Sequence, residues 1–134
     1  MSQGGETFVT IAKTERRMFI SDWEYVTMED IRIFIFDRNG NYDLGLSQTI
    51  LVHSENEGLD SPVALSVYND SFVVGLPWLS YDTFQGHAYV YERTASTGRY
   101  RRTADLTAPS DLEEGDSAFG AAVELSAGYA FIGK

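Results

Sequence analysis

With 134 residues and 43% hydrophobic content, the chain is long enough to bury a core as one ordinary domain, which excludes intrinsic disorder. Twenty acidic residues against ten basic ones set the net charge at -10, which repels a phosphate backbone and favours cations or basic partners, so no nucleic-acid role is expected. The absence of cysteine excludes disulfides and thiolate metal sites, and no apolar run approaches a secretory leader or the roughly 20 residues that span a bilayer. Composition leaves the compartment open.

Aromatic residues at 13% and twelve glycines beside three prolines fit short strands joined by tight turns, and no long helical pattern is present. The first strand is predicted at Phe8-Val9-Thr10-Ile11-Ala12, followed by a polar turn at 13–17 and a second strand at Met18-Phe19-Ile20-Ser21. A third strand, Ile33-Phe34-Ile35-Phe36-Asp37-Arg38, precedes the turn Asn39-Gly40 and a fourth strand at about 47–52. The same order then returns. Val63-Ala64-Leu65-Ser66 and Phe72-Val73-Val74-Gly75 form the next hairpin, Ala88-Tyr89-Val90-Tyr91-Glu92-Arg93 the third strand, and 100–107 the fourth. A third copy opens with Ala122-Val123-Glu124-Leu125-Ser126, the turn Ala127-Gly128 and Tyr129-Ala130-Phe131-Ile132-Gly133. The copies recur at spacings of 54 to 58 residues, and a period of that size indicates a repeat architecture. Four antiparallel strands per copy make a propeller blade, and a third strand apolar on both faces suits a blade stacked between neighbours. The predicted fold is therefore all-β: two antiparallel four-stranded β-propeller blades plus a partial third, at 6–58 (atypical), 59–116 and 117–134.

Gly115-Asp116-Ser117-Ala118-Phe119-Gly120 leading into Val123-Glu124-Leu125-Ser126 and Ala130-Phe131-Ile132-Gly133 resembles the FG-GAP repeat family, whose units build the integrin alpha-chain propeller. Val74-Gly75-Leu76-Pro77 and the glycine-led Gly86-His87-Ala88-Tyr89 are similar to the family's closing segments, whereas Ser21-Asp22 and Pro62 replace the expected glycines in the first copy. The resemblance implies an interaction module and suggests an extracellular or cell-surface setting. The family's calcium-binding copies carry an aspartate-rich loop between the first two strands. The equivalent turns at 13–17, 67–71 and 127–128 lack it, so no metal site is carried over, and no cofactor is expected. Asp37-Arg38-Asn39-Gly40-Asn41-Tyr42-Asp43 has alternating oxygens, but it falls on the third hairpin and reads as a solvated turn. Known propellers use about four to eight blades. Two and a part do not close a ring, so the chain is expected to be a piece of a larger propeller or to self-assemble through open blade edges.

Sorting the predicted loops by side concentrates acid on one face: Asp22, Glu24, Glu29, Asp30, Glu55, Glu57, Asp60, Asp82, Asp111, Glu113, Glu114 and Asp116. Lys13, Arg16, Arg17, Arg38 and Arg99 fall on the other. Such a one-sided field steers cationic ligands or basic partners. Trp23, Tyr25, Trp78, Tyr81 and Phe84 accompany the acids, as in binding hot spots and cation-π sites. Trp23 and Trp78 stand 55 residues apart in equivalent places, which favours a structural role for that pair. The candidate ligand-binding set is Trp78, Tyr81, Asp82, Asp111, Glu113, Glu114 and Asp116. A protein or glycan partner is expected. His53 and His87 occupy unlike positions and read as strand-edge residues, so no metal cluster or catalytic triad is assigned. Paired carboxylates keep one alternative, a propeller-type hydrolase acting on carbohydrate. Asn69-Asp70-Ser71 meets the glycosylation pattern, relevant only in a secreted chain.

Overall fold

The computed structural model describes residues 6–39, 43–56, 63–77, 86–108 and 119–133. They are all-β, in three antiparallel sheets with no helix among the described residues. The chain divides into two compact units, Met1–Leu59 and Asp60–Lys134.

The first unit is a three-stranded meander of β1 (Thr7–Phe19), β2 (Tyr25–Asn39) and β3 (Asp43–Asn56), in the order β1-β2-β3. It is not the four-stranded blade expected from the repeat. The predicted turn at 13–17 is the middle of β1, which pairs with β2 from Thr7↔Asp37 to Phe19↔Tyr25. Consequently Thr7 to Ile11, and not Met18 to Ser21, lies beside Ile33 to Asp37. The reason is local chemistry. Lys13-Thr14-Glu15-Arg16-Arg17 contains no glycine, proline, asparagine or aspartate to favour a turn, whereas Ser21 and Asp22 supply turn residues farther on. There the amides of Ile20 and Ser21 donate to the Glu24 carbonyl at 3.0 and 3.3 Å, and the Glu24 amide donates to Ser21 Oγ at 3.2 Å.

At the far end of β2, Asn39 pairs with Asp43, and Gly40 to Tyr42 of the alternating-oxygen segment lie outside the described residues. Asp37 is a strand residue that accepts a hydrogen bond from Thr7 Oγ1 at 2.7 Å. Ile31, Ile33 and Ile35 on the central strand and Val52 on β3 are the buried apolar residues of this unit.

The second unit contains a four-stranded meander, β4 (Ala64–Tyr68), β5 (Ser71–Leu76), β6 (His87–Arg93) and β7 (Tyr100–Thr107), and a hairpin of β8 (Ala122–Ser126) and β9 (Tyr129–Gly133). Phe72, Val73, Val74 and Leu76 on β5 and Ala88, Tyr89 and Tyr91 on β6 are buried. The Phe72 ring stacks on Tyr91 at 4.8 Å and meets Tyr100 at 5.0 Å. Asn69, in the turn between β4 and β5, takes a positive φ of 50°, which asparagine tolerates better than most residues.

The β8–β9 hairpin packs on β4 and β5. The Leu125 amide donates to Ser66 Oγ at 2.9 Å, and the Gly120 amide donates to the Gly133 carbonyl at 3.0 Å. Three glycines permit this approach. A Cβ at Gly75 would collide with the Gly120 carbonyl, one at Gly86 with the Phe119 carbonyl, and one at Gly120 would lie 2.6 Å from the His87 carbonyl oxygen. Gly120 also has φ +94°, a region that side chains disfavour.

The two larger sheets share an irregularity. In the first, the register shifts between Ile35 and Phe36, leaving Ser47 as the extra residue, and Ser47 Oγ donates to the Ile35 carbonyl at 3.1 Å. In the second, the shift falls between Val90 and Tyr91, Thr103 is the extra residue, and its Oγ1 donates to the Val90 carbonyl at 3.4 Å. Each bulge thus offers a hydroxyl to the strand whose ladder it interrupts.

Candidate functional site

Acid and base do not separate as the sequence pattern suggested. Glu29 and Asp30 belong to β2 rather than to a loop. Asp30 is closed off from solvent and bound by Arg16, a base expected on the opposite face, whose Nε donates to Oδ2 at 2.7 Å; Arg32 Nη2 donates to the same oxygen at 2.9 Å and Ser54 Oγ to Oδ1. The Ser54 hydroxyl and then the two guanidiniums hold the carboxyl below its usual range, against the desolvation that would raise it. This cluster is fully engaged and reads as a structural lock on the β1–β2–β3 ladder.

Of the residues expected on an acidic aromatic loop face, the structure describes those of the β1–β2 turn, Asp22-Trp23-Glu24, with Phe19 and Tyr25 at its base. Trp23 is 82% exposed. Phe19 and Tyr25 lie with ring centroids 5.8 Å apart, and the Arg17 guanidinium sits 4.6 Å from the Tyr25 ring centre. The tip therefore presents a large aromatic surface between two carboxylates, on a turn held by three hydrogen bonds.

Trp78, Tyr81, Asp82, Asp111, Glu113, Glu114 and Asp116 lie outside the described residues, as do Phe84, Glu57 and Asp60. Their anchors are described. The described residues that flank segments 78–85 and 109–118 are Pro77, Gly86, Ala108 and Phe119. Gly86 abuts the backbone of both Pro77 and Phe119, and His87 pairs with Thr107. Both segments are thus rooted at one end of the four-stranded sheet.

His87 Nδ1 lies 2.9 Å from Asp105 Oδ1, and the Arg102 guanidinium stands 4.0 Å from the Tyr89 ring centre. Burial pushes the Tyr89 phenol up, with Asp105 adding to the effect, and burial likewise pushes Tyr91 up. These phenols stay neutral near pH 7, and no hydroxyl nucleophile is placed against His87 by a hydrogen bond among the described residues. Nor do three acidic or histidine side chains gather as a metal-binding group among them.

A groove of about 460 Å³ opens at the opposite end of the second unit, between the β4–β5 turn, β6 and the β8–β9 hairpin. Tyr68, Asp70, Val90, Glu92, Leu125 and Tyr129 are among its lining. Sequence reasoning missed it because it concentrated on the acidic loops. The signal was the pair of short hairpin turns, Asn69-Asp70 and Ala127-Gly128, and Asn69, Asp70 and Gly128 line the groove together. No family model, curated protein or solved structure matches the chain.

Proposed function

We propose that the chain is a non-catalytic interaction module built from propeller-type blades similar to FG-GAP repeats, presenting an acidic aromatic loop face to a basic protein, a glycan or a cationic ligand. The observation that carries the binding role is the 82% exposed Trp23 between Asp22 and Glu24 on a fixed turn. Rigid aromatic surface beside charge supplies binding energy at low entropic cost. The blade reading is supported by the repeated hydroxyl bulge at Ser47 and Thr103, and by the seating of the β8–β9 hairpin on β4 and β5 through Gly75 and Gly120.

The test is a binding screen of the intact chain against immobilised basic proteins and glycans. Trp23→Ala is expected to weaken a captured ligand by at least about tenfold, the usual size of a hot-spot truncation, without lowering the melting temperature. Joint replacement of Tyr81 and Asp82 by alanine tests the aromatic and acidic residues expected to bind in the second unit. Equal affinity in both variants overturns the assignment. Turnover of a chromogenic glycoside that disappears on changing Asp82 or Asp116 would replace it with the hydrolase.

A further inference from the structure

Four of the chain's ten basic residues fall between Arg93 and Arg102, and no acid stands among them. They belong to the hairpin of β6 and β7. Its turn is fixed by three hydrogen bonds: the Thr94 amide donates to the Arg99 carbonyl at 2.7 Å, the Gly98 amide to the Thr94 carbonyl at 2.8 Å, and the Arg99 amide to Thr97 Oγ1 at 3.3 Å. Arg99, Arg101 and Arg102 are exposed and form no ion pair among the described residues, although the chain carries twenty acids to ten bases. By contrast, Arg16 and Arg32 hold Asp30, and Arg38 holds Glu6. The acids closest to the row are engaged elsewhere. Asp105 Oδ1 lies 2.9 Å from His87 Nδ1, and Glu92, opposite Arg101 in register, lines the groove beside the β8–β9 hairpin, which Arg101 does not. The Arg102 guanidinium rests over the Tyr89 ring, 4.0 Å from its centre, a contact that fixes the side chain and leaves N–H donors free for an oxyanion. Three steps along a strand span about 10 Å, so three guanidiniums crowd one short stretch of β7 and its turn.

We propose that Arg99, Arg101 and Arg102 bind an anionic glycan, each guanidinium taking the sulfate or carboxylate of a successive sugar. The surroundings of the row select this chemistry. A protein partner needs an apolar centre to its interface, but no large apolar side chain between residues 93 and 107 is among the exposed ones. A single-stranded nucleic acid needs aromatic faces for its bases, but Tyr89, Tyr91 and Tyr100 are only 6%, 1% and 4% exposed. What accompanies the arginines is the exposed pair Ser96 and Thr97, whose hydroxyls match those of sugars as donors and acceptors. The net charge of -10 then favours a ligand whose anions are closely spaced, because three adjacent charge-assisted contacts offset the repulsion from the rest of the chain. The row is basic where the turn at Trp23 is acidic and aromatic, so this site stands or falls separately from that one.

The experiment is fluorescence anisotropy of the intact chain with a labelled sulfated glycosaminoglycan oligosaccharide. Separate arms use an unsulfated polyuronate, a single-stranded oligothymidylate and a polyglutamate of matched charge. Saturable binding of one or both glycans is expected, the two telling sulfate from carboxylate, with the oligothymidylate and polyglutamate weaker by about tenfold or more. Joint Arg99→Gln and Arg101→Gln should weaken the glycan by about tenfold or more, and should lower the slope of log affinity against log salt by about one unit per arginine. Both side chains are exposed, so the melting temperature should stay that of the parent. Arg102→Lys keeps the charge but loses the planar fork, and should weaken binding about fivefold while the salt slope is retained. Trp23→Ala should bind the glycan as the parent does. Failure of both glycans to bind, or unchanged affinity and salt slope in the Arg99 and Arg101 double variant, overturns the proposal. Equal binding of the oligothymidylate or the polyglutamate overturns it too, by making a nucleic acid or an acidic protein the partner.

Discussion

Gly75→Ala is expected to detach the β8–β9 hairpin from the sheet beneath it, at a cost of about 3 kcal/mol, the upper end for forcing volume into a packed interior. The added methyl has nowhere to go. It would overlap the Gly120 carbonyl and lie 2.9 Å from Val123 Cγ1, and the obstructing group is backbone that cannot rotate aside. Gly120 cannot retreat either, because it abuts the His87 carbonyl oxygen and its amide is bound to Gly133. Hydrogen exchange reads the result locally: amides of 122–133 should exchange roughly 100-fold faster, the equivalent of that energy. Amides of β1 to β3 should be unaffected. Gly128→Ala is the informative control. Gly128 also has a positive φ, +80°, but nothing lies within 4 Å of a Cβ there, so only about 1–2 kcal/mol of backbone strain is expected. If the two variants exchange alike, the close approach at Gly75 is not what holds the hairpin down.

The second unit was readable because its turns carry unambiguous chemistry. Asn69-Asp70, Thr97-Gly98 and Ala127-Gly128 each tolerate a left-handed residue, and Asn69, Gly98 and Gly128 adopt it. Strands β5 and β6, apolar and β-branched or aromatic, could not be placed elsewhere. The first unit was misread where a repeat was imposed on residues that do not support it. Alignment with the second copy demanded a turn at 13–17, but alternating Thr10, Ala12, Thr14 and Arg16 continue a strand without interruption. The charge map failed at Glu29 and Asp30 for the same reason. Once β1 runs through to Phe19, Arg16 sits one position along from the Glu15↔Glu29 pair and reaches Asp30, so acids assigned to a loop face become part of a ladder. No composition argument shows this, because it depends on register. The exposed tip at Trp23 was visible as a residue type but not as an orientation, and its periodic equivalent Trp78 lies outside the described residues. The groove under β9 arises from the stacking of two sheets, which only three-dimensional placement reveals.

Asp30→Ala is expected to destabilise the first unit by about 3 kcal/mol, because a buried carboxylate with three donors is being removed. The loss stays near this figure rather than above it because Arg16 and Arg32 are 44% and 31% exposed at the side chain and regain water when released. Ser54, whose hydroxyl donates to Asp30 Oδ1, is left with the smaller loss of a neutral group. Asp30→Asn isolates the charge, since it keeps the shape and one acceptor. The Ser54 hydroxyl and then the two guanidiniums hold the folded-state pKa below the ordinary 3.8, so the stabilisation is complete above about pH 5 and disappears as the pH falls through the folded value. Acidification should accordingly close the gap in stability between the parent chain and Asp30→Asn, while the gap stays constant from about pH 5 to pH 8. Chemical denaturation followed at these pH values measures it directly. A gap that persists below the folded pKa would mean that the cost of the asparagine is steric, and that the Arg16–Asp30–Arg32 cluster contributes through packing rather than charge.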